Sequence, residues 1–96
     1  MKQASILLVD DEPGILEMLV DYLQPEGFQL HTASNGPDAL KAARQHKPDV
    51  IVLDIMLPEM DGIAVLSEFR RAVDAYVILL TAKTDELDRV LGLTVG

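Results

Sequence analysis

Four residues near the ends of short apolar runs carry the chemistry that this sequence offers: Asp10 and Asp11 after Ile6-Leu-Leu-Val9, Asp54 after Val50-Ile-Val-Leu53, and Thr81 after Tyr76-Val-Ile-Leu-Leu80. If the three runs are parallel strands of one sheet, three carboxylates and a hydroxyl meet beyond their carboxyl ends, where open α/β sheets bind ligands. Two unit charges about 4 Å apart repel by roughly 4 kcal/mol at an effective dielectric near 20, so such a cluster raises carboxyl pKa values or recruits a cation. An all-oxygen donor set without His or Cys favours a hard divalent ion, and Mg2+ suits two or three carboxylates that leave positions for water and substrate oxygens. That pairing fits phosphoryl transfer, with a carboxylate attacking phosphorus to form an acyl phosphate beside the metal. Asp54 stands alone on its strand and is the better nucleophile. The adjacent pair is then left for the metal, and Thr81 for a phosphoryl oxygen.

The elements that must position these groups are legible as alternating patterns. Ile6–Val9 is too short for a helix and reads as a buried strand. Asp11 or Glu12 can cap a helix with Pro13 in its first turn, whose apolar face is Ile15, Met18, Leu19, Tyr22 and Leu23 and which Pro25-Glu-Gly27 ends. Residues 28–33 alternate apolar and polar side chains, as a half-exposed edge strand does. Asn35-Gly-Pro37 starts a second helix that runs to about Gln45. Val50–Leu53 and residues 76–80 are uninterrupted apolar runs that predict strands buried on both faces. Between them Ile63, Leu66 and Phe69 mark a third helix with Arg70 and Arg71 in its last turn. Thr84 and Asp85 can cap a fourth helix, with Leu87, Val90 and Leu91 on one face and Gly96 at its end. Such alternation predicts an α/β fold of parallel strands with right-handed crossovers and helices on both faces. The interior character of residues 76–80 predicts a neighbouring strand that the chain does not supply, and an exposed apolar edge there favours swapping, pairing or a homodimer.

Composition narrows the function classes. The 96 residues are 49% apolar, enough for one core, and 16 acidic against 8 basic residues give a formal charge of −8. That balance argues against direct nucleic-acid binding. There is no cysteine, so thiolate zinc sites and thiol nucleophiles are excluded. No run has the length of a membrane span or the form of a signal peptide, and a soluble, cytoplasmic domain is expected.

Val9-Asp10-Asp11-Glu12-Pro13, Leu53-Asp54-Ile-Met56-Leu-Pro58-Glu-Met-Asp-Gly62 and Leu79-Leu-Thr81-Ala82 together resemble the motifs of response-regulator receiver domains of two-component signalling. The resemblance spans the chain, residues 1–96, and implies a flavodoxin-like (CheY-like) open sheet in the order 2-1-3-4, with the family's fifth strand, its Lys-Pro, its switch aromatic and its fifth helix missing. It implies that Asp54 accepts phosphate from a sensor histidine kinase. It further implies that Asp10, Asp11, Asp54 and the carbonyl of Met56 hold Mg2+, that Thr81 turns toward the phosphoryl group, and that Met56 and Lys83 flank it and tune its lifetime. The resemblance implies a signalling phosphoacceptor and not an enzyme, with at most self-catalysed phosphorylation and dephosphorylation. The stretch after Thr81 is similar to receivers that precede winged-helix (OmpR-like) DNA-binding domains, which implies a transcriptional output in the parent protein.

Each residue also has a plainer reading. Asp10 and Asp11 alone are an N-cap pair, Thr81 alone a strand-end hydroxyl bonded to backbone, and Lys83 a solvated loop residue. His31 and His46 lack metal-ligand spacing. A flavodoxin-type cofactor binder would want a Gly/Ser/Thr-rich loop where Asp-Asp-Glu stands. An aspartate-based phosphatase would want an acid two residues after its nucleophile, where Met56 stands. The chief alternative is a truncated receiver fragment that folds or dimerises without phosphotransfer.

Overall fold

The computed structural model describes residues 3–54, 62–80 and 94–95. They form β1 (Ser5–Val9), α1 (Pro13–Leu23), a 3-10 turn at Gln24–Glu26, β2 (Gln29–Ala33), α2 (Gly36–His46), β3 (Val50–Asp54), α3 (Gly62–Ala72), β4 (Tyr76–Leu80) and β5 (Thr94–Val95). The sheet order is β2-β1-β3-β4-β5, and the first four strands are parallel. Parallel neighbours need crossover connections, which α1, α2 and α3 supply. Because the chain moves from β1 to β2 in one direction and from β2 to β3 in the other, right-handed crossovers put α1 on one face and α2 with α3 on the other. The order reverses between β1 and β3, and their carboxyl ends form the switch-point crevice.

The core lies on the face of α2 and α3. Leu7, Val9, Ile51, Leu53, Val77 and Leu79 of the sheet meet Ala39 and Ala43 of α2 and Val65 and Phe69 of α3, all buried. Alanines four residues apart give α2 a flat strip, so the helix sits close to the sheet. The opposite face is looser. In β1 every residue is buried, but Val50 and Val52 of β3 are half-buried, and Tyr76 and Ile78 of β4 are 60% and 36% exposed. The expectation that β3 and β4 are buried on both faces is therefore corrected: both apolar runs bury one face well and the other incompletely. In α1 no residue is fully buried, and Met18 and Tyr22 are exposed while Leu16 and Val20 are half-buried. The inward face is thus rotated from the one predicted, centring between Leu19 and Leu23 and leaving Met18 and Tyr22 on its flank.

Beside β4 the structure has a short strand where the sequence predicted none. Thr94 and Val95 pair antiparallel with Ile78 and Val77. The helix expected to run to Gly96 thus does not hold at 94–95, where a β-branched pair favours extended backbone. The edge of β4 is not wholly open. The rest of that predicted helix lies outside the described residues.

Local signals elsewhere act as their chemistry dictates. Asn35 Oδ1 accepts the Asp38 N–H at 2.8 Å, capping α2, and Gly27 closes the turn after α1 at φ 91°. Lys47 ends α2 in the left-handed region at φ 48°, its N–H donating to the Ala43 carbonyl. Asp49 then ties three strands at the end of the sheet opposite the crevice. Its carboxylate accepts the Ser5 N–H at 2.8 Å, its own N–H donates to the Ser5 carbonyl at 2.8 Å, and its carbonyl accepts the Tyr76 N–H at 3.0 Å.

The Ser5 hydroxyl is buried without a hydrogen-bond partner among the described residues. Asp49→Ala strands a backbone donor and should cost about 1–3 kcal/mol, whereas Ser5→Ala removes an unsatisfied group and should be neutral or stabilising. Urea unfolding of both variants checks the pair; equal losses would contradict the role given to Asp49.

Candidate functional site

The site is built by register. Val9 of β1 pairs with Leu53 of β3, so the next residue on each strand, Asp10 and Asp54, falls at the same level of the crevice. Asp10 is anchored twice. Its N–H donates to the Ala33 carbonyl of β2 at 3.1 Å, and its Oδ1 accepts the Glu12 N–H at 2.9 Å. The second bond turns the chain from β1 into α1. Glu12 occupies the cap position but its side chain makes no capping bond, so the capping predicted for Glu12 is not formed; the Asp10 carboxylate instead bonds the N–H of the cap residue, just before the helix.

One carboxylate oxygen from each of Asp10, Asp11 and Asp54 lies within 4.8 Å of the others. Asp10 is buried, Asp54 half-buried and Asp11 exposed, so the cluster has a closed floor and an open side. Burial pushes the Asp10 carboxyl above its ordinary 3.8; the Glu12 N–H pulls it back, and the charges of Asp54, Asp11 and Glu12 raise it further. Three carboxylates with no nitrogen or sulfur donor fit a hard divalent cation, which would remove the repulsion that raises Asp10. Asp10, Asp11 and Asp54 are thus brought together. Met56, Thr81 and Lys83 lie outside the described residues, as do Pro58 and Met60. Away from the crevice, the rings of His31 and His46 stack with centroids 3.8 Å apart, a contact for which their distance in sequence gives no signal.

Comparison with known proteins matches residues 6–96 to the response regulator receiver domain. The chain belongs to the response regulator receiver domain family. Among its relatives, the alkaline phosphatase synthesis transcriptional regulatory protein PhoP of Bacillus subtilis is 48% identical over 93 residues, which cover 96% of this chain and 39% of PhoP. The transcriptional regulatory protein KdpE of Mycobacterium tuberculosis is 48% identical over 91 residues, covering 95% of this chain and 40% of KdpE. The receiver therefore spans about two fifths of the length of these curated relatives. A chain in the crystal structure of histidine kinase ThkA in complex with response regulator protein TrrA superposes with a TM-score of 0.77 at 46% identity, over 83% of this chain and 70% of that one. The sheet order 2-1-3-4 is that of the flavodoxin-like receiver fold. Among the described residues no helix is long and apolar enough to cross a membrane.

The electrostatics of this receiver's site make a prediction. With its folded pKa raised, Asp10 binds its proton more tightly folded than unfolded. Its contribution is present in full below the unfolded value of 3.8 and is lost as pH rises through the folded one. At neutral pH its charge therefore opposes folding. Asp10→Asn, which keeps an acceptor for the Glu12 N–H, should melt higher than the parent near neutral pH without Mg2+, and the gap should close in acid. Saturating Mg2+ should stabilise the parent by about 2–3 kcal/mol at a hundredfold excess over Kd, and the variant much less. Thermal melts with and without Mg2+ check this; an equal Mg2+ response in both proteins would contradict it.

Proposed function

We propose that this chain is the phosphoacceptor unit of a two-component response regulator and that Asp54 receives the phosphoryl group. The observation that carries the reading is the convergence of Asp10, Asp11 and Asp54 within 4.8 Å at the switch point of a receiver sheet. Asp10 and Asp11, with Asp54 and the Met56 carbonyl, would hold Mg2+, which when bound neutralises charge on the phosphoryl oxygens. A carboxylate oxygen of Asp54 attacks phosphorus, the bond from phosphorus to the donor imidazole nitrogen breaks, and the imidazole leaves with the electron pair and takes up a proton. The half-buried Asp54 is reachable by such a donor, while the buried Asp10 holds the chain turn beneath it. Thr81 would donate its hydroxyl to a phosphoryl oxygen, and Met56 and Lys83 would set how long the acyl phosphate survives.

The donor is a sensor histidine kinase, a pairing supported by the kinase complex named for the TrrA structure. Residues 1–96 act as one cytoplasmic receiver unit of a longer protein that controls transcription, as the names of PhoP and KdpE suggest. Any self-catalysed gain or loss of phosphate uses the same carboxylates and is not an activity toward another substrate.

Incubation with acetyl phosphate and Mg2+ should add one phosphoryl group by intact mass to the parent and none to Asp54→Asn, and chelation of Mg2+ should abolish the adduct. An equal adduct on both proteins would overturn the assignment of Asp54.

A further inference from the structure

His31 and His46 make a contact that phosphoryl chemistry does not use. His31 is the middle residue of the edge strand β2 and His46 is the last residue of α2. Their rings lie 3.8 Å apart, centroid to centroid, and 11° from parallel. Face-to-face imidazoles direct their nitrogens outward in parallel planes, so the pair is arranged for mutual contact and not for chelating a shared ion. A single imidazolium is tolerated against the face of a neutral ring, but two stacked imidazoliums put like charges in contact.

His31 is half-buried and His46 exposed, so water screens part of that repulsion, but the neighbouring elements add little to offset the rest. β1 and β2 contribute no other titratable side chain. Of the charged residues in and just after α2, Asp38 sits in the first turn, Lys41 is exposed, and Arg44 and Lys47 line a cleft of about 320 Å³ toward Ala72, Val73 and Asp74 of the α3 end. Residue 46 shares its helix face with Ala39, Ala42 and Ala43, none of which can supply a counter-charge.

We propose that His31 and His46 form a proton-sensitive clasp between β2 and the last turn of α2, closed while at most one ring is charged and opened when both are protonated. Burial followed by the charge of His46 holds the His31 imidazole below its ordinary 6.5, the direction the stacked geometry requires. Folded-state stability from His31 is therefore present above the unfolded value and lost as pH falls through the folded one. The last turn leads through Lys47 and Pro48 to Asp49, so the clasp borders the tie that joins β1, β3 and β4.

The test follows the histidine ring protons and the backbone amides by NMR from about pH 8 to about pH 4, the range in which imidazoles titrate. In the parent chain His31 should titrate below the ordinary histidine midpoint. The amides of residues 44–47 should lose protection severalfold in acid while those of Leu7 and Ile51 keep theirs. His46→Gln should move the His31 midpoint upward. His46→Phe keeps a stacking ring without a charge and should hold the last turn protected across the range. A His31 midpoint at its ordinary value and unmoved by His46→Gln, or the same acid loss in His46→Phe as in the parent, would overturn the clasp.

Discussion

Like charge held in place by strand register is the constraint on which the site depends. Asp10, Asp11 and Asp54 repel one another, and nothing local to any one of them would gather all three. They are gathered because β1 and β3 are adjacent and parallel, with Val9 opposite Leu53. That register is secured at the far end by Asp49, which bonds to Ser5 through both its carboxylate and its N–H and accepts from Tyr76. At the near end the Asp10 N–H bonds the Ala33 carbonyl, which fixes β1 against its other neighbour, β2. Backbone hydrogen bonds and buried apolar side chains thus offset a repulsion that a bound cation would relieve, as at many sites where local stability is given up for function.

The two faces of the sheet divide the work. On the side of α2 and α3, Phe69, Val65, Ile51 and Leu53 are fully buried and make a stiff floor that ends at Asp54. On the side of α1, the helix has no fully buried residue, and β4 leaves Tyr76 and Ile78 exposed. Close-packed interiors move little, so the floor fixes where the Asp54 carboxylate sits. The cluster stays open on the side where Asp11 is exposed and Asp54 half-buried.

Much of this was legible in the residues. The runs at Ile6–Val9 and Val50–Leu53 are strands, the Asn35 cap starts α2, and parallel topology alone brings Asp10 and Asp54 to one crevice. Other features depend on relations that one-dimensional patterns do not contain. Val50, Val52, Tyr76 and Ile78 have the composition of doubly buried strands, yet their exposure depends on what lies across the face. The inward face of α1 depends on its rotation over β1, which moves Met18 and Tyr22 outward and Leu16 and Val20 inward. The carboxylate that shapes the entry to α1 is Asp10, one residue before the nearest cap expected, because the turn closes over the Glu12 N–H. The His31–His46 stack joins a strand and a helix end whose proximity only the fold creates.

The central claim is that the three carboxylates and a divalent ion together make Asp54 a phosphoryl site. Its most direct measurement is 19F NMR with beryllofluoride, a mimic of the phosphoryl group, in the presence and absence of Mg2+. Slowly exchanging bound fluorine resonances should appear when Mg2+ and beryllofluoride are both present, and should vanish in Asp54→Asn. Bound resonances that form without any divalent ion, or that persist in Asp54→Asn, would contradict the account.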